Sequence, residues 1–229
     1  MSKDLSATLQ HIPDTALSGV IPFSFDRKPY HIFDLTEANE ALHHIDLQDE
    51  QGFNDFIFGT LQANGCRVGV GGYAEDRYLY KRSTVFGEGE VRNIHLGIDI
   101  WAEAGMPVLA PLAGKVHSFA DNDRHGDYGP TIILEHSFEG SIFYSLYGHL
   151  SKSSLEGLEV GQSIAAGQLL AHFGAYHENV HWPPHLHFQL IEDIGDHYGD
   201  YPGVALSREK EKYLANCPDP NLLLRIEGI

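Results

Sequence analysis

Cysteine, methionine and tryptophan are scarce in this 229-residue chain, at two copies each. Cys66 and Cys217 lie far apart and in no C-x-x-C arrangement, so a disulfide framework is not required and a reducing compartment is tolerated. Positive charge is also in short supply: 15 Lys and Arg stand against 32 Asp and Glu, a formal net charge of −17. A surface of that sign repels nucleic acid and anionic lipid, and neither is expected as a partner. No run approaches the roughly 18 uninterrupted apolar residues of a membrane span. The opening Met1-Ser2-Lys3-Asp4 leads into no signal-peptide core, so the expectation is a soluble cytoplasmic protein that does not enter a membrane. At 42% hydrophobic and 21% charged residues, disorder as the main state is excluded. One folded unit with a small appendage is expected instead. Histidine is what the chain has in excess, 15 copies, as many as Lys and Arg together.

The pattern divides the chain into an N-terminal region (1–85) with two helices and short strands, a β-rich core (86–200) and a tail (201–229). Pro13, Pro22 and Pro29 predict an extended arm packed on something else over residues 1–30. A helix is expected from about Leu35, with Asp34 and Glu37 at its start and Leu35, Ala38, Leu42 and Ile45 at helical spacing. A second is expected over Asp49 to Ala63, where Phe53, Phe56, Ile57 and Leu61 share a face and Gly65 offers a left-handed cap. Val68, Val70, Tyr78, Tyr80 and Val85 alternate like short strands. Further strands are predicted at 94–101, 106–110, 114–119, 131–136, 141–149, 163–165, 168–173 and 185–191, a density that implies a sandwich or barrel. A helix at about 207–215 sits in the tail. A weak internal repeat, Pro107 to Val116 and Gly161 to Leu170, puts strand, glycine turn and strand in succession twice.

Three β patterns concentrate the chemistry. In Ile94 to Trp101 the aliphatic residues fall on even positions, while His95, Gly97, Asp99 and Trp101 take the opposite face. A straight strand would hold His95 and Asp99 about 13 Å apart, too far to share an ion bound at about 2.1 Å. The chain must therefore bend, and Gly97 can supply a bulge or positive φ. In Pro184 to Leu190, Leu186, Phe188 and Leu190 point inward and His185, His187 and Gln189 outward, the two imidazoles within reach of one centre. In Phe143 to Ser151, the odd positions through His149 share one face, with His149 beside Gly148. Singly each pattern is weak. Together they favour a zinc site.

H-x-x-x-D at His95 to Asp99, G-H-L-S at Gly148 to Ser151 and P-H-L-H-F at Pro184 to Phe188 occur in this order on β patterns. They resemble the lysostaphin-type (LytM-like) zinc metallopeptidases over about residues 87–195. The resemblance implies a mainly β fold of the duplicated hybrid motif type, an antiparallel sheet or barrel-sandwich hybrid bounding a long groove. It implies Zn2+ held by His95, Asp99 and His187, with His149 and His185 as catalytic non-ligands. It also implies a metalloendopeptidase acting on peptide bonds, of which glycine-rich and peptidoglycan-type bonds are the candidates. Three ligands with an open fourth position suit a catalytic zinc.

Two departures bear on the substrate. The loop before H-x-H, Gly174 to Pro184, is bulkier than the Gly/Ser/Thr-rich loop of relatives and carries His177 and His181, which are alternative ligands on spacing alone. The missing export signal argues against the cell wall. Tyr73 to Arg82 is either a peptide-binding groove wall or a plain edge strand. Competing readings are a phosphocarrier like the glucose-type enzyme IIA, suggested by His95-Leu96-Gly97-Ile98-Asp99, and a lipoyl or biotinyl carrier lacking its turn lysine. A non-catalytic scaffold on the same fold is the fourth. A phosphocarrier needs no third imidazole beside a carboxylate, so the H-x-H pattern discriminates against it.

Overall fold

The computed structural model describes residues 5–26, 29–46, 51–82, 91–124 and 126–229. Its strands arise where β-branched and aromatic residues alternate with small or polar ones between glycine and proline turns. In chain order they are β1 (His31–Phe33), β2 (Gly69–Gly71), β3 (Arg92–His95), β4 (Ile98–Trp101), β5 (Pro107–Leu109) and β6 (Gly114–Asn122). Then follow β7 (Gly129–Phe138), β8 (Ser141–Gly148), β9 (Ser163–Ile164), β10 (Leu169–His172), β11 (His185–Ile191) and β12 (Val204–Leu206). Among the described residues, eight of them form one sheet in the order β1-β2-β4-β11-β8-β7-β6-β9. All neighbours in it are antiparallel except the pair β1–β2. The sheet stays open rather than closing into a barrel, and the mainly β expectation holds.

The two repeats predicted from sequence interlock: β5 of the first pairs with β10 of the second, and β6 of the first with β9 of the second. Each short strand, marginal alone, gains its hydrogen bonds from the other half.

Leu186, Phe188 and Leu190 of β11 enter the larger core with Ile98 and Ile100 of β4 and Ile132 and Leu134 of β7. Full burial of each such side chain contributes about 1.5–3 kcal/mol. The opposite face of the sheet is apolar in two patches: Ile133, Leu146 and Ile191 meet Ile94, Leu96 and Ala205 in one, and Trp101 and Phe33 pack with Leu35, Ile57 and Leu61 in the other. Between them lie His185, His187 and Gln189, all buried.

Residues 92–101 are not one strand with all its aliphatics on one face. The chain breaks after His95: β3 pairs with β12 in a separate two-stranded sheet, while β4 joins the main sheet. Ile94 and Leu96 consequently enter the second cluster, and Ile98 and Ile100 the first. The expected bend is there, but Gly97 does not make it with a positive φ. It is a glycine for space: a Cβ would lie 2.7 Å from the His187 ring and from the Phe188 carbonyl oxygen.

The N-terminal region departs further from expectation. A helix α1 (Leu5–Gln10) buries Leu5 and Leu9, and Val20, Ile21, Phe25 and Tyr30 of the predicted arm are seated on the main core. The helix expected from Leu35 does not form. Asp34 Oδ1 accepts from Thr36 N at 2.9 Å and Asn39 Oδ1 from Ala41 N at 3.2 Å. Such side-chain turns compete with helical bonds, leaving a 3-10 turn over Glu40–His44. Helix α2 (Gly52–Ala63) matches prediction, burying Ile57 and Leu61, and Gly65 follows at φ +64°. Tyr78 and Tyr80 lie not on a strand but on a short helix α3 (Tyr78–Arg82), and Val85 falls outside the described residues. The tail forms the expected helix as α4 (Lys210–Asn216), entered by a 3-10 turn at Ser207–Glu209. No helix among the described residues is long and apolar enough to cross a membrane.

Candidate metal centre

The register of the sheet assembles the site. His187 on β11 sits opposite Asp99 on β4 and opposite Gly148 on β8, and His185 sits opposite Trp101. His95, at the end of β3, swings back over the break. The result is a cluster in which His95 Nε2 lies 3.2 Å from Asp99 Oδ1 and 3.0 Å from His187 Nδ1. His187 Nδ1 is 3.0 Å from the same Asp99 oxygen. Four ligands arranged tetrahedrally at about 2.1 Å from an ion stand about 3.4 Å from one another, so the spacing is of the right size for zinc.

The hydrogen-bond partners on the far side of each ring decide what these atoms can do. His95 Nδ1 donates to the Gly72 carbonyl at 3.0 Å. His187 Nε2 donates to Gln189 Oε1 at 3.0 Å, and Gln189 is held by donating to the Pro202 carbonyl at 3.1 Å. A neutral imidazole has one proton, and the tautomers that donate to these two oxygens carry it on the side away from the cluster. Two bare ring nitrogens and a carboxylate oxygen therefore face one another, three electron pairs aimed at one point. A divalent cation satisfies that arrangement. Burial, with the Arg77 cation nearby, lowers His95 to about 4, favouring the neutral form a ligand needs. Burial alone would raise Asp99, but the Arg77 guanidinium holds its carboxyl well below the usual range.

The two remaining histidines flank this cluster. His185 donates from Nδ1 to the Pro183 carbonyl at 2.7 Å, leaving Nε2 bare and 4.0 Å from Asp99 Oδ1. Its ring stacks on Trp101 at 5.8 Å and on His149 at 4.1 Å. His149 lies just past β8 at φ +61°, a backbone turn that takes it off the face shared by Phe143 and Tyr147 and into the site. Its Nδ1 is buried with no hydrogen-bond partner among the described residues. Burial, with His185 alongside, lowers the pKa of His149 well below the ordinary value. His177 and His181 are exposed and are not members of this cluster.

Sequence reasoning missed several participants. The cluster floors a cleft of about 520 Å³ whose walls include Tyr80, Tyr128, Trp182, Tyr201, Arg92 and Arg124. Trp182, from the bulky loop, meets His149 and Tyr80 edge to face, with ring centres 6.4 Å and 6.0 Å apart. From the segment after β2, Tyr80 lines the cleft. Tyr73 to Arg82 also reaches the cluster itself: Arg77 Nη1 donates to Asp99 Oδ2 at 2.5 Å. The aromatics and arginine concentrated there were the available signal.

Residues 93–198 match the family model described as Peptidase family M23. A curated relative, an uncharacterized metalloprotease of Haemophilus influenzae, is 33% identical over 96 residues, 42% of this chain and 18% of the relative. The chain therefore spans less than a fifth of that protein's length. Among solved structures, the catalytic domain of the antimicrobial peptidase lysostaphin from Staphylococcus simulans is 25% identical, covering 56% of this chain and 86% of that one at a TM-score of 0.39. A zinc-containing peptidase from Vibrio cholerae is 31% identical, covering 43% of this chain and 27% of that one at a TM-score of 0.34. The stretch carrying the converging His-Asp-His donors and both flanking histidines is thus the part of the chain that is similar to peptidase family M23.

Proposed function

We propose that the protein is a zinc-dependent metalloendopeptidase with His95, Asp99 and His187 as metal ligands and His149 and His185 as catalytic residues. The observation that carries this reading is the convergence of His95 Nε2, Asp99 Oδ1 and His187 Nδ1 at 3.0–3.2 Å from one another on the floor of a cleft. A two-histidine phosphocarrier has no use for the third donor. When bound, the ion supplies a Lewis acid that polarises a substrate carbonyl and makes water acidic near neutral pH.

The chain's own residues do the rest. His185, its Nδ1 proton committed to Pro183, offers the Nε2 lone pair to accept a proton from the attacking water. The Trp101 ring beneath it and His149 above fix its plane. His149, with a buried and uncommitted ring nitrogen, meets the oxyanion of the tetrahedral intermediate or the leaving amine. Tyr80, Tyr128 and Trp182 exclude water and narrow the cleft, which favours small residues such as glycine beside the scissile bond. The substrate is a peptide with glycine-rich or peptidoglycan-type bonds.

The test is cleavage of glycine-rich and D-amino-acid peptides by zinc-loaded protein, with products identified by mass spectrometry. Internal cleavage that stops on chelation and returns with zinc is the expected result. Cleavage indifferent to the chelator, or none by fully loaded protein, rejects the reading.

A further inference from the structure

Arg77 is 3% exposed, yet it is a cation beside a candidate site for another cation. A buried guanidinium is costly to desolvate unless it is fully paired, and an apolar side chain of similar volume fills such a space at less cost. Its contacts are specific but leave Nη2 buried with no hydrogen-bond partner among the described residues. Nη1 donates to Asp99 Oδ2 at 2.5 Å and to the Tyr80 hydroxyl at 3.2 Å, and Nε donates to Glu75 Oε2 at 3.1 Å. Glu75 is tied in turn, its Oε1 accepting from Leu35 N at 3.0 Å. The guanidinium carbon lies 5.7 Å from the Tyr80 ring centre and 5.8 Å from that of Trp101, the ring on which His185 stacks. A continuous chain of bonds therefore runs from the N-terminal region to the far oxygen of Asp99.

We propose that Arg77 is a positioning residue of the metal centre, binding Asp99 Oδ2 so that only Oδ1 is presented to the ion. The inference rests on the metal reading above. A carboxylate can bind a metal through one oxygen or both, and the second mode occupies a position that water or substrate needs. Chelation by both oxygens of Asp99 would require Oδ2 to give up a charge-assisted hydrogen bond inside a water-poor pocket, where such bonds are strongest. Arg77 also draws electron density from Asp99, so that a bound ion keeps more of its positive charge. Its partner Glu75 prevents the guanidinium from turning away.

Cobalt(II) in place of zinc reads this directly, because its visible spectrum reports coordination number. Wild-type protein loaded with one cobalt is expected to show the intense spectrum of a four-coordinate ion. Arg77→Met is expected to shift to the weaker five-coordinate spectrum, to bind the metal about 10- to 100-fold less tightly, and to lose kcat with KM within about twofold. Arg77→Lys, which keeps a donor for Oδ2 but not the fork that spans to Glu75, is expected to recover part of the spectrum and of kcat. If Arg77→Met does not fold, Arg77→Lys carries the test with the same direction of change. A folded, cobalt-loaded variant with the wild-type spectrum and affinity overturns the inference. Wild-type protein that takes up no metal overturns the reading beneath it.

Discussion

The site is built from two regions that differ in how much of their geometry is local. β4, β8 and β11 present Asp99, the turn to His149, and His185 with His187 through regular strand pairing, each side chain placed by its own register. The segment from Gly72 to Tyr80 contributes through single long-range contacts: the Gly72 carbonyl on His95, and Arg77 on Asp99. The strands supply the donors. On the proposed metal reading, the segment fixes which atom of two of the donors would face the ion, through a proton position on His95 and an oxygen of Asp99. A metal site in this fold therefore needs more of the chain than its ligand-bearing strands.

The comparison is broken most completely at β11. His187→Ala removes one of three donors, and zinc content, measured by elemental analysis of dialysed protein, is expected to fall to background together with activity. His185→Ala, two residues away on the same face, is expected to keep its zinc and lose about 10²- to 10⁴-fold in turnover. The reverse outcome, metal lost from the second variant and kept in the first, exchanges their roles. Gly97→Ala probes the break between the two strands. Its Cβ would be 2.7 Å from the His187 ring and from the Phe188 carbonyl oxygen. Overpacking of this kind costs about 1–3 kcal/mol, and we expect a lower melting temperature with weakened zinc binding. Unchanged values would mean that the strands have room to part.

The smallest effect separates site histidines from a purely architectural one. His136 donates to or accepts from Ser145 at 2.6 Å and is bonded to the Ala113 carbonyl, and burial lowers it to about 4. Its ordinary value is about 6.5, so between pH 6.5 and 4 the unfolded chain binds the proton that the folded one refuses. Stability from this group is complete above 6.5 and is lost as pH falls, by about 1.4 kcal/mol per pH unit. Denaturant titrations of metal-free protein are expected to show His136→Gln with a slope against pH shallower by about one proton; an unchanged slope would assign the acid sensitivity elsewhere.

The strand core was readable because period-two alternation with glycine and proline punctuation records a buried sheet directly. Leu186, Phe188 and Leu190 fell where the pattern put them. The break after His95 was readable only as a necessity of distance, and its means was not, since space around Gly97 depends on His187 and Phe188, about ninety residues away. His149 leaves its strand by a positive φ that alternation cannot register. Leu35, Leu42 and Ile45 are buried as expected although the helix is lost and Ala38 is exposed, because Asp34 and Asn39 cap local turns instead. Arg77 was the hardest to read: its role exists only through contacts to Asp99, Glu75 and Tyr80, and charge pairs carry no period.

The most direct test is anomalous diffraction at the zinc absorption edge from crystals of zinc-replete protein. A single strong peak about 2.0–2.2 Å from His95 Nε2, Asp99 Oδ1 and His187 Nδ1 is the predicted result. A peak at the exposed His177 and His181, or none among the buried donors at full zinc loading, contradicts the account.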